Sequence, residues 1–357
     1  MKTQLIKAKY TQKKPTSWKD IHFGSIFTDY VLQMKFDIST GWDSPVILSQ
    51  DESERLTSKA KVLHYGQGVF EGFKCYRRTD GTIGIFRLDS HLQRLNKSAA
   101  RLAMPGISAN VVKQALCDLI KQEMEWIPPV GEGALYIRPV LFASSASMGV
   151  GGSNQYLFNV MLSPATGYYS NSADGTRIKV EETMSRASRG GTGCIKAIGN
   201  YAGSLLSSTL AKEEGFDQVI WLDPVEKKYI EEVGTMNIFF VINNSLVTPP
   251  LTDSIMPGIT RDSIINIAKK MGMAVSETAV TMDDILEANQ NGTLSEVFGS
   301  GTAVSISPVK EIYWKNQSIK PTHSYFGPVS GHLKEVITSI HTTPETFGFA
   351  EWLTIIE

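Results

Sequence analysis

Apolar and polar residues follow two different periods along the first half of the chain. The segment 81–88 alternates as a half-buried strand does, and 91–105 then repeats apolar residues at helical spacing. A second helix is predicted over 109–126, and apolar runs over 134–143 and 155–165 predict two buried strands. This half of the chain is therefore expected to mix strands and helices in one domain. The apolar positions of the first helix are Leu92, Leu95, Ala99 and Leu102.

A similar alternation resumes after a polar stretch rich in Gly and Ser, 166–175. A helix is predicted over 200–214, strands over 216–223 and 237–243, and a further helix over 261–271. Each of the two helices is followed at once by a glycine, which is typical of a helix end. The second half is thus expected to form a mixed domain of its own.

Length and charge narrow the class of protein. Because 357 residues exceed the usual single core, we expect two domains: a small α+β domain over 1–165 and a larger one over 179–357, joined by a linker over 166–178. The net charge of -1 offers no general attraction for nucleic acid or for an anionic membrane. Three dispersed cysteines and the absence of an apolar run of membrane-spanning length favour a cytoplasmic protein that acts on small molecules.

Several common catalytic motifs are absent from the sequence. The glycines of 66–72 are spaced by three residues instead of two before the last glycine, so a dinucleotide site is not expected. Gly-rich segments lack the Gly-Lys-Ser/Thr of a phosphate loop, and the six histidines lack zinc-ligand spacing. No serine lies in a Gly-x-Ser-x-Gly turn. We therefore expect no metal and no serine-hydrolase chemistry.

Lys196 is the first candidate for chemistry. It lies among Ile195, Ala197 and Ile198, just ahead of the predicted helix 200–214. If this segment is buried, the loss of solvation lowers the pKa of the amine and makes it a nucleophile toward carbonyl compounds. The alternative is an ordinary surface lysine, which the local sequence does not exclude.

Carboxylates and small residues follow at suitable positions. Glu231 and Glu232 precede an apolar strand, and whichever points inward needs a cationic partner such as a protonated pyridine ring. The segments 257–263 and 299–305 offer backbone amides at a helix start and in a Gly-flanked turn, which suit a phosphate or a carboxylate. Together with Lys196 these elements form a consistent set.

This set resembles the class IV (fold type IV) pyridoxal-phosphate (PLP) aminotransferases, most closely the branched-chain amino acid aminotransferases. The resemblance runs from about Phe23 to Pro308. It includes the segments 63–76, 86–95, 135–141 and 296–303. The residues that match the family signature in order are Glu232, Gly234, Asn237, Phe239, Leu246, Thr248, Pro257, Gly258, Ile259 and Arg261.

The resemblance implies a D-amino acid aminotransferase-like fold and a role for each matching residue. Lys196 is then the catalytic lysine that carries PLP, Glu232 the partner of the pyridine nitrogen, Tyr201 the donor to the ring oxygen and Arg94 the phosphate ligand. The remaining phosphate ligands are Ile259, Thr260 and Thr302. Substrate contacts are implied for Phe23, Tyr65, Phe70, Tyr136, Arg138, Thr235, Gly301 and Ala303, with Met148 and Val150 reaching the site of a neighbouring subunit in a homodimer.

The same resemblance implies the reaction. A branched-chain amino acid (leucine, isoleucine or valine) gives its amino group to 2-oxoglutarate, reversibly and by a ping-pong route through pyridoxamine phosphate. Related enzymes of the same fold, such as D-amino acid aminotransferase and aminodeoxychorismate lyase, use an equivalent lysine and glutamate. A non-catalytic PLP-binding protein is the remaining alternative. Where relatives have a first glycine after the lysine, this chain has Ile198, so we expect different packing there.

Overall fold

The computed structural model describes residues 1–18, 21–166, 175–343, 345 and 347–356. Helices and strands occur throughout these ranges, and the expected mixed α/β class with two compact units is confirmed. Most of the expected linker, at positions 167–174, lies outside the described residues. Within the described ranges, no helix is both long enough and apolar enough to cross a membrane.

The boundaries of the two units differ from the expected ranges. The first unit consists of Met1–Tyr168, Lys196–Gly199 and Ser339–Glu357, and the second of Tyr169–Ile195 and Asn200–Thr338. The chain therefore returns to the first unit twice, once at Lys196 and once at its C-terminal end. These segments add to the first unit. It is therefore not the smaller of the two, although the sequence analysis expected a small N-terminal domain.

The first unit is built on a ten-stranded sheet. Its strands follow the order β1-β4-β2-β9-β8-β6-β7-β19, with β3 paired to β2 and β5 paired to β8. They are β1 (Gln4–Leu5), β2 (Tyr30–Asp37), β3 (Gly41–Trp42), β4 (Val46–Ser49), β5 (Gly68–Phe70), β6 (Phe73–Arg77), β7 (Ile83–Phe86), β8 (Ala134–Ala143), β9 (Gln155–Ala165) and β19 (Leu353–Ile356). The strands β8 and β9 have the bounds that the sequence predicted.

Two long helices contribute to the core of the first unit with the residues that the pattern identified. These helices are α2 (Leu88–Arg101) and α3 (Ala109–Gln122), and a short helix, α1 (Lys61–Tyr65), precedes β5. Leu92, Leu95 and Ala99 of α2 are buried with α3 and sheet residues in one cluster. Burial of these apolar surfaces stabilises the unit. The predicted strand over 81–88 is shorter than expected because α2 already begins at Leu88.

The second unit contains a nine-stranded sheet that closes partly on itself. Its strands follow the order β12-β11-β10-β17-β16-β13-β14-β15, with β18 paired to β17, and β12 also pairs with β13, which closes the path from β12 to β13 into a ring. The strands are β10 (Thr176–Glu181), β11 (Gln218–Leu222), β12 (Ile230–Val233), β13 (Met236–Ile242), β14 (Ser245–Thr248), β15 (Val275–Glu277), β16 (Leu294–Gly301), β17 (Ser305–Trp314) and β18 (Gln317–Ile319).

The helices of the second unit depart from the prediction at one point. They are α4 (Gly199–Ala202), α5 (Leu205–Glu213), α6 (Ile259–Lys270) and α7 (Met282–Gln290), and α8 (Pro328–Thr342) runs from this unit into the first. The single helix predicted over 200–214 is two helices, interrupted at Gly203 and Ser204. Glycine is unfavourable in the interior of a helix. In addition, the Ser204 hydroxyl donates a hydrogen bond to the Tyr201 carbonyl oxygen at 2.8 Å.

Candidate active site

The backbone of Lys196 is held by a strand of the first unit. The Phe70 N–H donates to the Lys196 carbonyl at 3.1 Å, and the Ile198 N–H donates to the Gly68 carbonyl at 3.1 Å. Ala197 forms an antiparallel bridge with this same strand, β5. Lys196 therefore lies in a turn that is attached to β5 by an isolated bridge and two backbone hydrogen bonds. Lys196 lies within the range that the sequence analysis gave to the C-terminal domain, whereas its contacts group it with the first unit, through a pairing of residues far apart in the chain.

The side chain of Ile198 lies close to β5. A Cβ atom on Gly68 would lie 2.9 Å from the Ile198 Cδ1 atom. Such a distance is shorter than van der Waals contact, so the absence of a side chain at Gly68 makes room for Ile198.

The buried face of helix α2 carries polar side chains near Lys196. His91, Arg94 and Ser98 are spaced by three and four residues, and all three are buried. The Lys196 N–H donates to the Ser98 hydroxyl oxygen at 3.1 Å. One face of α2 therefore carries both the apolar residues of the core and the polar residues of this site.

The guanidinium of Arg94 is held by a buried carboxylate, Glu71. Arg94 Nε donates to Glu71 Oε1 at 2.6 Å, and Arg94 Nη2 donates to Glu71 Oε2 at 2.9 Å. His91 Nδ1 lies 2.8 Å from Glu71 Oε2. Burial by itself raises the pKa of the Glu71 carboxyl, but Arg94 and His91 outweigh burial and hold this pKa well below its usual range.

The amine of Lys196 lies over the ring of Phe70, with Nζ 4.6 Å from the ring centroid. Burial, followed by the positive charge of Arg94, lowers the pKa of the Lys196 amine to about 8. An amine with this pKa is neutral far more often at neutral pH than that of an ordinary lysine, and the neutral form is the one that acts as a Schiff-base nucleophile.

Aromatic rings and a guanidinium form a cluster beside Lys196. The Arg138 guanidinium carbon lies 4.7 Å from the ring centroid of Phe70 and 5.1 Å from that of Tyr136. Arg138 Nη2 donates to the Tyr136 hydroxyl at 2.8 Å, and Phe23 packs edge-on against Tyr136 with centroids 4.6 Å apart. A Cβ on Gly72 would lie 1.8 Å from the Tyr136 hydroxyl oxygen, so a side chain at this position would displace the Tyr136 ring.

Three other residues expected near the substrate are largely exposed in the first unit. Met148 and Val150 are 77% and 89% exposed, and Tyr65 is 43% exposed. The Tyr65 hydroxyl donates to the Met148 carbonyl, which ties this loop to the end of α1. The loop therefore presents apolar side chains to its surroundings.

In the second unit, Glu232 lies at the centre of a buried polar network. Its Oε2 atom is 2.7 Å from Arg186 Nε, and its Oε1 atom accepts from the Met256 N–H at 3.1 Å and from Asn237 Nδ2 at 3.3 Å. Glu232 is only 3% exposed. Each of its two carboxylate oxygens therefore has a buried polar partner.

The neighbouring Glu231 has a different environment. Its Oε1 atom accepts a hydrogen bond from the Ser254 hydroxyl. Burial is the main reason that the pKa of the Glu231 carboxyl is raised. Successive residues of a strand point to opposite faces, so these two carboxylates serve different sides of β12.

A cavity of the second unit joins Glu232 to other predicted residues. Tyr201 and Thr235 line it together with Arg186 and Met256. The cavity thus brings together the residues expected at the pyridine nitrogen and at the ring oxygen, along with one of the expected substrate contacts.

The start of α6 has the form expected of an anion site. Ile259 and Thr260 occupy its first turn, where backbone N–H groups lack partners within the helix. A Cβ on Gly258 would lie 2.0 Å from the Asn237 amide oxygen, which explains the glycine. The turn between β16 and β17 contains Thr302 and Ala303, and Gly301 ends β16.

The sequence prediction missed Glu71, His91 and Arg186. His91 shares the helical spacing of Arg94 and Ser98 within an apolar face, and this polar row was a usable signal. Glu71 and Arg186 had no such signal, because their partners Arg94 and Glu232 are 23 and 46 positions away in the sequence.

A comparison with protein families identifies the class of this protein. The family described as amino-transferase class IV matches residues 68–312. The chain therefore belongs to the class IV aminotransferases, which are PLP-dependent transaminases. The resemblance drawn from the signature residues and the expected cofactor are both confirmed.

Curated relatives and solved structures define the group within that class. A probable branched-chain-amino-acid aminotransferase of Staphylococcus aureus (strain MRSA252) is 45% identical over 94% of this chain and 93% of its own length. The structure of the Escherichia coli branched-chain amino acid aminotransferase matches with a TM-score of 0.74 and 28% identity, over 92% of this chain and 99% of that one. Within its class, the chain groups with the branched-chain-amino-acid aminotransferases.

Two structures of the T.th. branched-chain amino acid aminotransferase contain informative ligands. One is complexed with 4-methylvaleric acid, at 26% identity and a TM-score of 0.73. The other is complexed with N-(5'-phosphopyridoxyl)-L-glutamate, at 27% identity and a TM-score of 0.72. Each match covers 91% of this chain and 98% of that one.

Proposed function

We propose that this protein transfers the amino group of L-leucine, L-isoleucine or L-valine to 2-oxoglutarate, reversibly and with the two substrates bound in turn. The names of its relatives support the branched-chain substrates. The T.th. enzyme has been solved with a branched aliphatic acid and with a phosphopyridoxyl derivative of glutamate, which supports the same pair of substrate types.

The observation that carries this proposal is the cluster of Phe70, Tyr136 and Arg138 beside the amine of Lys196. Phe70 and Tyr136 supply apolar ring surface for a branched side chain, with Phe23 packed against Tyr136. Arg138 supplies a guanidinium, which binds carboxylates well and lies against both rings. A pocket with both surfaces suits a leucine side chain and the side-chain carboxylate of glutamate.

The residues present fit PLP as the cofactor. Lys196 has an amine of lowered pKa for the covalent attachment, and Arg94 is a buried guanidinium for the phosphate. The backbone at Ile259 and Thr260, with Thr302, would add further phosphate ligands. Glu232 would hold a proton on the pyridine nitrogen, and Tyr201 would donate to the ring oxygen. When bound, PLP supplies an electron sink for the electrons released at the substrate α-carbon.

Lys196 has two tasks in the proposed reaction. Its neutral amine would remove the proton from the substrate α-carbon as a general base, and the protonated amine would then return that proton as a general acid. The turn of Gly301, Thr302 and Ala303 would bind the substrate α-carboxylate through its backbone. Thr235, which lines the same cavity as Glu232, would be a further substrate contact. The same steps in reverse order convert 2-oxoglutarate to glutamate.

The lowered pKa of Lys196 predicts how fast the protein without cofactor captures PLP at each pH. Only the neutral amine attacks the aldehyde, so the rate should rise as the pH increases through about 8, well below the pKa of an ordinary lysine. The measurement is the rate of absorbance change after PLP is mixed with the protein at pH 6 to 10. A rate that keeps rising until about pH 10.5 would contradict the lowered pKa.

The proposed substrates can be tested by absorbance of the purified holoenzyme. L-leucine should bleach the band of the lysine-bound cofactor, and 2-oxoglutarate should restore it. D-alanine is the matched control, because a D-amino acid aminotransferase would respond to it instead. A protein that binds PLP but does not respond to leucine, isoleucine or valine would contradict the proposed substrates and leave the class intact.

We also propose that the protein works in the cytoplasm as a homodimer. Exposed apolar side chains are a usual mark of a protein interface, and Met148 and Val150 are such side chains. In a dimer, these two residues would complete the substrate pocket of the neighbouring subunit. Sedimentation of the purified protein measures the assembly, and a monomer with full activity would contradict this role for the loop.

A further inference from the structure

Glu71 is the most deeply buried charged residue near Lys196, with no exposed surface. It follows Phe70, which bonds to the Lys196 backbone, and precedes Gly72, which lies against the Tyr136 hydroxyl. A buried carboxylate is costly unless it is paired and fully bonded. The segment that holds Lys196 therefore also carries a carboxylate whose burial needs a specific reason.

The partners of Glu71 account for its burial. Two parallel hydrogen bonds to Nε and Nη2 of Arg94 form a bidentate pair, at 2.6 and 2.9 Å. His91 Nδ1 lies 2.8 Å from Glu71 Oε2, the oxygen that also accepts from Arg94 Nη2. A bidentate pair fixes the plane of a guanidinium, and that plane determines the direction of every other N–H of Arg94.

The charges within this cluster balance. Burial lowers the pKa of His91 to about 4, so its ring is neutral at physiological pH and can donate one N–H to Glu71. Glu71 then compensates the charge of Arg94. The cluster as a whole therefore carries little excess positive charge. An anion would be bound mainly by the oriented N–H groups of Arg94.

We propose that Glu71, supported by His91, is a positioning residue that orients Arg94 to bind the phosphate of the cofactor. This inference rests on the proposed role of Arg94 as a phosphate ligand. Glu71 itself acts only through Arg94. The competing explanation is that Glu71 merely compensates the charge of Arg94, and the two explanations predict opposite effects on the binding of an anion.

The decisive variant is Glu71→Gln. If Glu71 orients Arg94, the dissociation constant for PLP should rise about 10- to 100-fold, by analogy with the loss of metal affinity when a residue that orients a metal ligand is removed. If Glu71 only compensates charge, Arg94 becomes more positive toward its ligand and PLP should bind as tightly or more tightly. The measurement is an absorbance titration of the cofactor-free protein with PLP.

Pyridoxal, which lacks the phosphate, separates orientation of Arg94 from general damage. Glu71→Gln should leave the dissociation constant for pyridoxal unchanged within about twofold, whereas a disturbed fold would weaken both ligands. Glu123→Gln is the matched control, since Glu123 is also a buried glutamate of the first unit, bonded to the Tyr30 N–H at 2.5 Å. It should bind both ligands as the unaltered protein does.

Two further variants complete the test. Glu71→Asp keeps the charge but shortens the side chain. If Glu71 orients Arg94, this variant should bind PLP more weakly, and if Glu71 only compensates charge, PLP binding should not change. The same variant tests the proposal if Glu71→Gln does not fold. In an Arg94→Lys background, Glu71→Gln should change the PLP dissociation constant less than about threefold, because the effects of two substitutions within one interaction are not additive.

The outcomes separate this inference from the proposed function. Unchanged or tighter PLP binding in both Glu71→Gln and Glu71→Asp would overturn the positioning role, as would an equal loss of PLP and pyridoxal binding. An unaltered protein that binds PLP but does not respond to leucine would overturn the proposed substrates alone. An unaltered protein that binds PLP no more tightly than pyridoxal would overturn the phosphate site on which the inference rests.

Discussion

Replacing Lys196 by alanine should reduce transamination by at least about 10³-fold. The substitution removes the amine that attaches the cofactor and moves the proton, and general acid–base catalysis alone contributes about 10²–10⁴-fold. Arg94 and Glu232 remain in place, so PLP should still bind without a covalent bond. The measurement combines turnover of L-leucine with 2-oxoglutarate and mass spectrometry after borohydride reduction, which should find the phosphopyridoxyl group on the unaltered chain and not on the variant.

Lys74 provides a matched control for this experiment. Burial lowers the pKa of its amine to about 8, as for Lys196, and it lies on β6 of the same unit. On the basis of pKa alone, the two lysines are equally nucleophilic. Lys74→Ala should therefore keep the phosphopyridoxyl label on Lys196. A label that persists in Lys196→Ala and disappears in Lys74→Ala would refute the assignment of the catalytic lysine.

Replacing Glu232 by glutamine should lower kcat by about 10²–10³-fold, an effect of the size found when one oriented group that stabilises transition-state charge, such as an oxyanion-hole donor, is removed. A neutral amide cannot stabilise a proton on the pyridine nitrogen, so removal of the α-proton becomes slower. The substitution also leaves Arg186 without the carboxylate that lies 2.7 Å from its Nε atom. Steady-state kinetics should find the loss mainly in kcat, with PLP still bound.

Glu231→Gln is the matched control, since the two carboxylates are adjacent and both are buried. Glu231 bonds to Ser254, and glutamine can still accept that hydrogen bond. Turnover should change little. If Glu231→Gln were as slow as Glu232→Gln, the loss would come from damage to β12, and the specific role of Glu232 would be refuted.

Much of the fold could be predicted from local pattern. The strands β8 and β9 matched their predicted bounds because each is a continuous apolar run between polar residues. The helix over 200–214 was predicted as one element because its composition is helical throughout, whereas Gly203 and a serine-to-carbonyl bond interrupt it. Local patterns of this kind report burial along one segment and say little about its partners.

The candidate site was predictable to the extent that it lies in motifs. Lys196, Glu232 and the start of α6 were identified as residue types at given spacings. Their surroundings were not, because Glu71 meets Arg94, and Arg186 meets Glu232, only after distant segments have packed together. A contact between segments distant in sequence leaves no periodic signal in a single chain.

The sequence by itself determined the residue types of the chemistry: a lysine among apolar neighbours, a carboxylate before a strand, and backbone amides at a helix start. Only the tertiary structure gave Glu231 and Glu232 different partners, Ser254 and Arg186, because adjacent residues of a strand point to opposite faces. It also placed Lys196 against β5, where burial and Arg94 lower the pKa of its amine. Burial and electrostatic interactions depend on which segments meet in space, and chain order alone does not specify that.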